Sequence, residues 1–385
     1  MATGLRAHNE WANRPADECF PSIDSAIEYL EDRTARSREL QVNFRDIARQ
    51  GGFRADTSGE VLMALPTGQE FGFSNYGFQA TGKLAGAHPE FLGKLQPTTA
   101  AAALTDLFSN EVHVPVANAA DAAEETGTLG KDRKILTLRD TGGSLEKVRA
   151  VNGTGYGRIW DLRAARWIKS IMANHGFRLA PESYRDEARG IYAGDRSSFF
   201  FVVDESKDLE VKRPGGQMER LSRGIMVWNS EVGIRKFGMS LFLYQYICGN
   251  HMVWGMESER VLETRHVGEA LDRAEGEIIP QVTELLNEGT EEQVAVISKA
   301  MATRFATDGR EAVRALRKDP WKISKSVAME AVERALLDPS NEGLDPLSIM
   351  AIGNGLSSQA RDLSYADARN TLELKSSRFI QQVAA

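Results

Sequence analysis

A chain of 385 residues exceeds the size at which one hydrophobic core usually keeps growing, so we expect two or three domains. The apolar share of 42% and the charged share of 26% are ordinary for a globular protein, and no window approaches the roughly 18 uninterrupted apolar residues of a membrane span. Residues 1–10 lack the apolar stretch of a secretory signal, so we expect a cytoplasmic protein without membrane contact.

The net charge of −7 is unevenly distributed along the chain. Residues 130–189 carry thirteen Lys and Arg against seven Asp and Glu, whereas residues 257–385 carry 22 acidic against 16 basic side chains. A basic middle within an acidic chain is typical of a protein that contacts a polyanion with one face. A solvated surface with a chance imbalance is the alternative.

The N-terminal part predicts a mixed α and β module. An amphipathic helix begins near Ser22 or Asp24, either of which can cap it, and strand-like runs follow at residues 40–44 and 61–65. Residues 78–95 have the rhythm of two helices joined by a tight turn, with Phe91, Leu92 and Leu95 facing inward. Few polar side chains are left to face outward, so we favour a packed αα-hairpin over a reader of duplex DNA.

The central block is dense in strands and the C-terminal part reads as helices. Strand-like runs at 135–138, 145–151, 198–203, 224–228 and 237–248 are interrupted by one helix at 159–174. We therefore predict an α+β protein, in which a central antiparallel sheet has helices packed on one side and a helical domain follows. The predicted domains are residues 1–116, 131–256 and 257–385, with a linker at 117–130.

No catalytic, cofactor or metal pattern can be assembled. The six histidines are scattered singly, and a nucleophile or a metal centre needs such groups in a cluster. Cys248 and His251 are two possible metal ligands, but a structural zinc site needs four. The glycine-rich stretch 152–157 has the spacing of neither a dinucleotide loop nor a P-loop, so we expect a turn there. We predict no enzyme activity, no cofactor and no metal.

Cations interleave with aromatic rings at the start of the central helix. Proteins that bind single strands combine a basic groove with rings on which bases stack. Trp160 and Trp167, seven residues apart, fit a buried stripe instead of a binding face. The residues predicted to contact nucleic acid are Arg149, Tyr156, Arg158, Arg163 and Arg166, with a second strip of Lys212, Arg213 and Arg235.

Several short motifs resemble a family of phage- and plasmid-like proteins that carry the domain of unknown function number 932. The resemblance lies in Trp11–Phe20, Val148–Ala150 with Tyr156–Arg158, Tyr192–Arg196, Trp228–Gly233 with Cys248–Asn250, and Pro346–Ser357 with Ala366–Arg369. The Asn229-Ser-Glu-Val-Gly233 stretch is the most specific of these, and Gly153-Thr-Gly155 departs from the family pattern. The resemblance covers nearly the whole chain and implies a mobile-element context with no established enzyme activity.

A curved antiparallel sheet with a basic block, in a phage or plasmid context, is also similar to ring-forming single-strand annealing proteins of homologous recombination. From this we expect a homo-oligomer that binds or anneals single-stranded DNA during recombination or replication of a mobile element. Two alternatives remain open: a duplex-binding regulator that uses residues 78–95, and a structural or host-interaction protein without a nucleic-acid ligand. For Asn229, Ser230 and Glu231 we favour a structural polar network at a strand end.

Overall fold

The computed structural model describes residues 10–109, 133–143, 145–180, 190–245, 250–253, 262–281, 284, 291–360 and 362–384. The predicted linker at 117–130 lies outside these residues. So do Cys248 and the side chain of His251, and with them the possible metal pair.

Two sheets and several helical layers make up the described chain. The strands are β1 (Glu18–Phe20), β2 (Ser37–Asn43), β3 (Gly52–Ala55), β4 (Val61–Ala64), β5 (Glu70–Phe73), β6 (Arg133–Arg139), β7 (Lys147–Gly153), β8 (Arg178–Leu179), β9 (Ile191–Ala193), β10 (Ser198–Lys212), β11 (Met218–Asn229), β12 (Phe237–Gln245), β13 (Asn250–Val253) and β14 (Leu262–Thr264). The helices are α1 (Ile23–Ala35), α2 (Phe44–Gln50), α3 (Asn75–Leu84), α4 (Pro89–Leu92), α5 (Pro97–Ser109), α6 (Asp161–His175), α7 (Ala270–Arg273), α8 (Glu291–Ala302), α9 (Gly309–Leu316), α10 (Lys325–Leu337), α11 (Ile349–Ala360) and α12 (Ala366–Ala384), and a π-helical turn spans Ala274–Ile278. The predicted α+β class is confirmed.

The first sheet has the order β2-β6-β7-β5-β4-β3 and is antiparallel except where β5 runs parallel to β7. Strands β6 and β7 follow the predicted linker in sequence, yet they complete the sheet of the N-terminal module. Strand β2 pairs with β6 over its full length, from Ser37 opposite Arg139 to Asn43 opposite Arg133. The first sheet therefore spans the predicted boundary at residues 117–130.

The second sheet has the order β1-β9-β10-β11-β12-β13, with β14 beside β12 and β8 beside β10. Its centre is the long hairpin of β10 and β11, in which Phe199 lies opposite Trp228. The prediction that the chain after residue 257 is helical is wrong at β14, because this strand pairs with β12 and so belongs to the sheet.

Side chains alternate between the two faces of this second sheet, as the strand period of two requires. Phe200 and Val202 on β10 pack in one core with α1 and α6. Phe199 and Phe201 face the opposite side, where Ala366 of α12 joins the cluster. Thus α1 and α6 cover one face of the sheet, and α12 packs against the other face.

Helix α6 forms where the sequence predicts it. Ala164, Ala165, Ile168 and Ile171 are buried at helical spacing and pack under α1 and the sheet. The helix ends at Gly176, whose positive φ of 72° is the left-handed conformation that glycine adopts most easily. Helix α1 also confirms its predicted start, because the Ser22 hydroxyl accepts a hydrogen bond from the Ser25 N–H at 3.1 Å.

The C-terminal domain is a group of helices around α11. Every residue of α11 is buried, which is the pattern of a helix enclosed by its neighbours. The ends of β10, β11 and β12 reach into this domain, since Val211, Leu221 and Leu243 belong to its core. The helical domain is therefore continuous with the second sheet.

The predicted αα-hairpin at 78–95 is present in shortened form. Helix α4 has only four residues and Leu92 faces inward as predicted, but Phe91 is 61% exposed and points away from the core. No helix in the part of the chain described here is both long and apolar enough to cross a membrane.

Candidate functional site

Four charged side chains from four different elements meet in the interior between the two sheets. Glu231, just after β11, accepts hydrogen bonds on one carboxylate oxygen from Arg33 of α1 at 2.6 Å and from Arg149 of β7 at 2.7 Å. Arg33 also donates to Asp161, the first residue of α6, at 2.8 Å. We call Arg33, Arg149, Asp161 and Glu231 the buried charge cluster. Each of them is at most 2% exposed.

The remaining hydrogen bonds of the cluster lie at the end of β11, where the sequence predicts a polar network. The second oxygen of Glu231 accepts from the Asp161 backbone N–H at 2.9 Å, so it caps α6. Asn229 donates its amide to Asp161 at 2.6 Å and to the Ile159 carbonyl at 2.8 Å. Ser198 donates its hydroxyl to Asp161 at 2.6 Å. This hydrogen bonding fits the structural role favoured for the Asn229-Ser-Glu stretch.

The electrostatics of the cluster follow from burial and from mutual contact. Burial alone would raise the pKa of Glu231, but Arg33 and Arg149 together hold it well below its usual range. Burial and the nearby Glu231 carboxylate raise the pKa of Asp161 to about 6. With both carboxylates ionised, the two negative charges balance the two arginines, so the cluster carries no surplus of positive charge for a polyanion.

Arg149 was predicted to contact nucleic acid, and its burial removes it from the surface. It lies at a bulge in β7, where the register to β6 shifts between Thr137 and Leu138. A bulge re-aims the side chain of its extra residue. Here it turns Arg149 inward onto Glu231, so this residue is a structural cation.

Tyr156 and Arg158 come close to the cluster and also point inward. The Arg158 side chain is 3% exposed and donates to Glu39 at 2.7 Å and to Asn152 at 3.2 Å. The Tyr156 hydroxyl donates to the Ser230 carbonyl at 3.0 Å, and its ring stacks on that of His266 with centroids 5.3 Å apart. The glycine-rich turn therefore positions these two side chains against the end of β11.

Arg163 and Arg166 are exposed on α6 as expected, but each faces a carboxylate. Arg163 pairs with Glu275 of the π-helical turn, and Arg166 pairs with Glu31 of α1 at 2.8 Å. Lys169, one turn further along α6, continues the pattern with Asp24 at 2.6 Å. Such exposed pairs contribute only about 0–1 kcal/mol each, yet they leave the face of α6 nearly neutral.

The predicted second strip does not form one surface. Lys212 is exposed, whereas the neighbouring Arg213 is buried and pairs with Glu219. Arg213 also donates to the carbonyls of Ser340 at 2.8 Å and Glu342 at 2.6 Å, so it joins the β10–β11 hairpin to the helical domain. Arg235 is half-buried, with its guanidinium carbon 5.1 Å from the centroid of the Phe199 ring.

An open surface with several cations lies elsewhere, in the helical domain. Helices α9 and α10 border a groove of about 610 Å³, which we call the basic groove. Its apolar lining includes Met329, Leu336 and Leu337, which are 52%, 52% and 71% exposed. Its charged lining consists of one acid and four cations: Glu333, Arg310, Arg314, Arg317 and Lys325.

The cations of the basic groove differ from those of α6 in having no ion-pair partner among the described residues. Arg310, Arg314 and Arg317 follow the spacing i, i+4, i+7, so they form one stripe along α9 and span about 10 Å. Two acids at the helix start, Asp308 and Glu311, act electrostatically on Arg314 without forming an ion pair with it. Asp308 accepts from the Glu311 N–H at 2.8 Å, and Glu311 accepts from the Thr307 N–H at 2.8 Å.

Sequence reasoning missed this groove because the C-terminal part is acidic as a whole. The signal was local: residues 310–325 carry Arg310, Arg314, Arg317, Lys318, Lys322 and Lys325 against only Glu311 and Asp319. A charge count over the whole domain does not reveal this segment, because acidic residues outnumber basic residues in the domain as a whole.

No group of His, Cys, Asp and Glu able to hold a metal ion occurs within the described ranges. A scan against protein-family models and searches of curated proteins and of solved structures found no match to this chain.

Proposed function

We propose that this protein is a single-stranded-DNA-binding protein without catalytic activity, and that the strand lies along the basic groove. The observation that carries the proposal is the stripe of Arg310, Arg314 and Arg317 beside an open apolar surface. Unpaired arginines are the side chains best suited to phosphate oxygens, because their planar fork can donate two parallel hydrogen bonds.

The apolar floor favours a single strand over a duplex. In a single strand the bases are free to turn away from the phosphates, and they would cover the apolar side chains of Met329 and Leu336 by hydrophobic contact. A duplex keeps its bases stacked inside and would leave that floor uncovered. Helix α4, the predicted duplex-reading helix, is a single turn that exposes the apolar Phe91, which does not favour the alternative of a duplex-binding regulator.

Several predictions from the sequence are compatible with this proposal but do not support it. The resemblance to phage- and plasmid-like proteins, strand annealing in recombination or replication, a homo-oligomer and a cytoplasmic location stay predictions. Arg163 and Arg166 are secondary contacts in this proposal, because a phosphate would have to compete with Glu275 and Glu31 for them.

The test is fluorescence anisotropy of labelled single-stranded and duplex DNA with the purified protein at roughly 50 and 200 mM salt. Three to four phosphate contacts predict that affinity for the single strand falls about 20- to 50-fold over this range. Duplex DNA should bind more weakly at both salt concentrations. Binding of neither DNA would refute the proposal and would leave the groove to an acidic protein partner.

A further inference from the structure

One acidic side chain lies among the apolar side chains of the basic groove. Glu333 of α10 is exposed and lines the groove. Met329 precedes it by four residues, and Leu336 and Leu337 follow it by three and four residues. Residues at these spacings share one face of a helix, so the Glu333 carboxylate lies within the apolar line of α10 and not in the arginine stripe of α9.

The Glu333 carboxylate is not held by another part of the protein. Within the described ranges, no cation forms an ion pair with it and no donor forms a hydrogen bond to it. Glu330, one turn earlier, differs because it pairs with Arg334 and does not line the groove. A carboxylate repels the phosphates of a strand, so Glu333 weakens binding unless it bonds to another part of the nucleotide.

The four bases differ in what they offer to a carboxylate. An ionised carboxylate only accepts hydrogen bonds, and its two oxygens can accept from two parallel N–H groups. Guanine has two such donors side by side on its Watson–Crick edge, the N1–H and the N2 amino group. Adenine and cytosine have an acceptor nitrogen beside their amino group, and thymine has a carbonyl oxygen on each side of its N–H. Guanine is therefore the base whose edge matches a carboxylate.

We propose that Glu333 makes the basic groove selective for guanine, an inference that rests on the single-strand binding proposed above. The N1–H and the N2 amino group of the guanine donate to the two oxygens of Glu333, and the phosphates beside it accept from the arginines of α9. The apolar line from Met329 to Leu337 is roughly 12 Å long and the arginine stripe about 10 Å, so one short stretch of strand contacts both.

Fluorescence anisotropy with three oligonucleotides of equal length tests this selectivity. The first contains thymine throughout, and the second carries guanine at a few separated positions. The third carries hypoxanthine at those positions, which differs from guanine only in lacking the N2 amino group. We expect the guanine oligonucleotide to bind about fivefold or more tightly than the thymine one, because two parallel hydrogen bonds to a base edge discriminate between bases. The affinity of the hypoxanthine oligonucleotide should lie between the two.

Two variants on the same helix assign the preference to Glu333. Glu333→Gln should reduce it to less than about twofold, because the amide replaces one acceptor oxygen by a donor. The same variant should bind the thymine oligonucleotide more tightly than the wild type does, since it removes a charge that repels phosphate. Glu330→Gln also removes one negative charge from α10, but outside the groove, so this control should keep the guanine preference.

The outcomes separate this inference from the function on which it rests. Equal binding of the guanine and thymine oligonucleotides by the wild type would overturn the guanine selectivity and leave single-strand binding intact. A guanine preference that persists in Glu333→Gln would overturn the role of Glu333, because another residue would then supply it. Binding of none of the three oligonucleotides would overturn both proposals.

Discussion

At the scale of single residues, the chain uses its arginines in two different ways. Arg149 and Arg213 are buried and each bonds to a carboxylate inside the protein, at Glu231 and Glu219. Arg314 and Arg317 line an open groove without such a partner. The carboxylate that holds a buried arginine is 6 residues away for Arg213 and 82 residues away for Arg149, so local sequence alone does not identify the buried arginines.

The first prediction tests whether Arg149 is structural. Arg149→Met should lower the free energy of unfolding by about 3–5 kcal/mol, because it leaves part of the Glu231 charge uncompensated in the interior. Arg166→Gln is the matched control: its pair with Glu31 is exposed, so the loss should stay below about 1 kcal/mol. Urea denaturation of both variants measures the difference. Equal losses would show that Arg149 is not held in the interior as described.

At the scale of elements, periodicity predicted the helices and strands well. The apolar spacing of residues 159–174 predicted α6 and its buried face, and Ser22 predicted the start of α1. What the sequence did not contain was the pairing between elements. The acids of α1 that neutralise α6 come from a helix more than a hundred residues earlier in the chain, so the basic excess of residues 130–189 overstated the exposed charge.

A close contact between the backbones of α3 and β7 sets the position of α3 on the first sheet, and a substitution at Gly77 tests it. A Cβ on Gly77 would lie 1.8 Å from the Val148 carbonyl oxygen of β7. Gly77→Ala should therefore displace α3 and destabilise the protein by about 1–3 kcal/mol or more. Gly155→Ala, whose added Cβ would have no atom within 4 Å, should be nearly neutral. Thermal unfolding of both proteins decides the matter, and a neutral Gly77→Ala would contradict this packing.

At the scale of the whole molecule, the parts of the chain are joined across long sequence distances. The buried charge cluster connects α1, β7, α6 and the end of β11, and thereby the two sheets. At the other end, Asp17 accepts from the Ala366 N–H at 2.6 Å, so the N-terminal segment caps α12. The α+β class was predictable from the order of periodic segments. The long-range pairing of β2 with β6 was not predictable, because the sequence of neither strand indicates which strand it pairs with.

The most direct test of single-strand binding through the basic groove is a pair of charge reversals on two exposed helices. Arg314→Glu on α9 should weaken binding of single-stranded DNA by more than tenfold. It should also make the plot of log affinity against log salt shallower, by about 0.7 or more in slope. Arg166→Glu on α6, already neutralised by Glu31, should weaken it less than about threefold. Binding that survives Arg314→Glu but is lost in Arg166→Glu would contradict the groove and move the strand to α6.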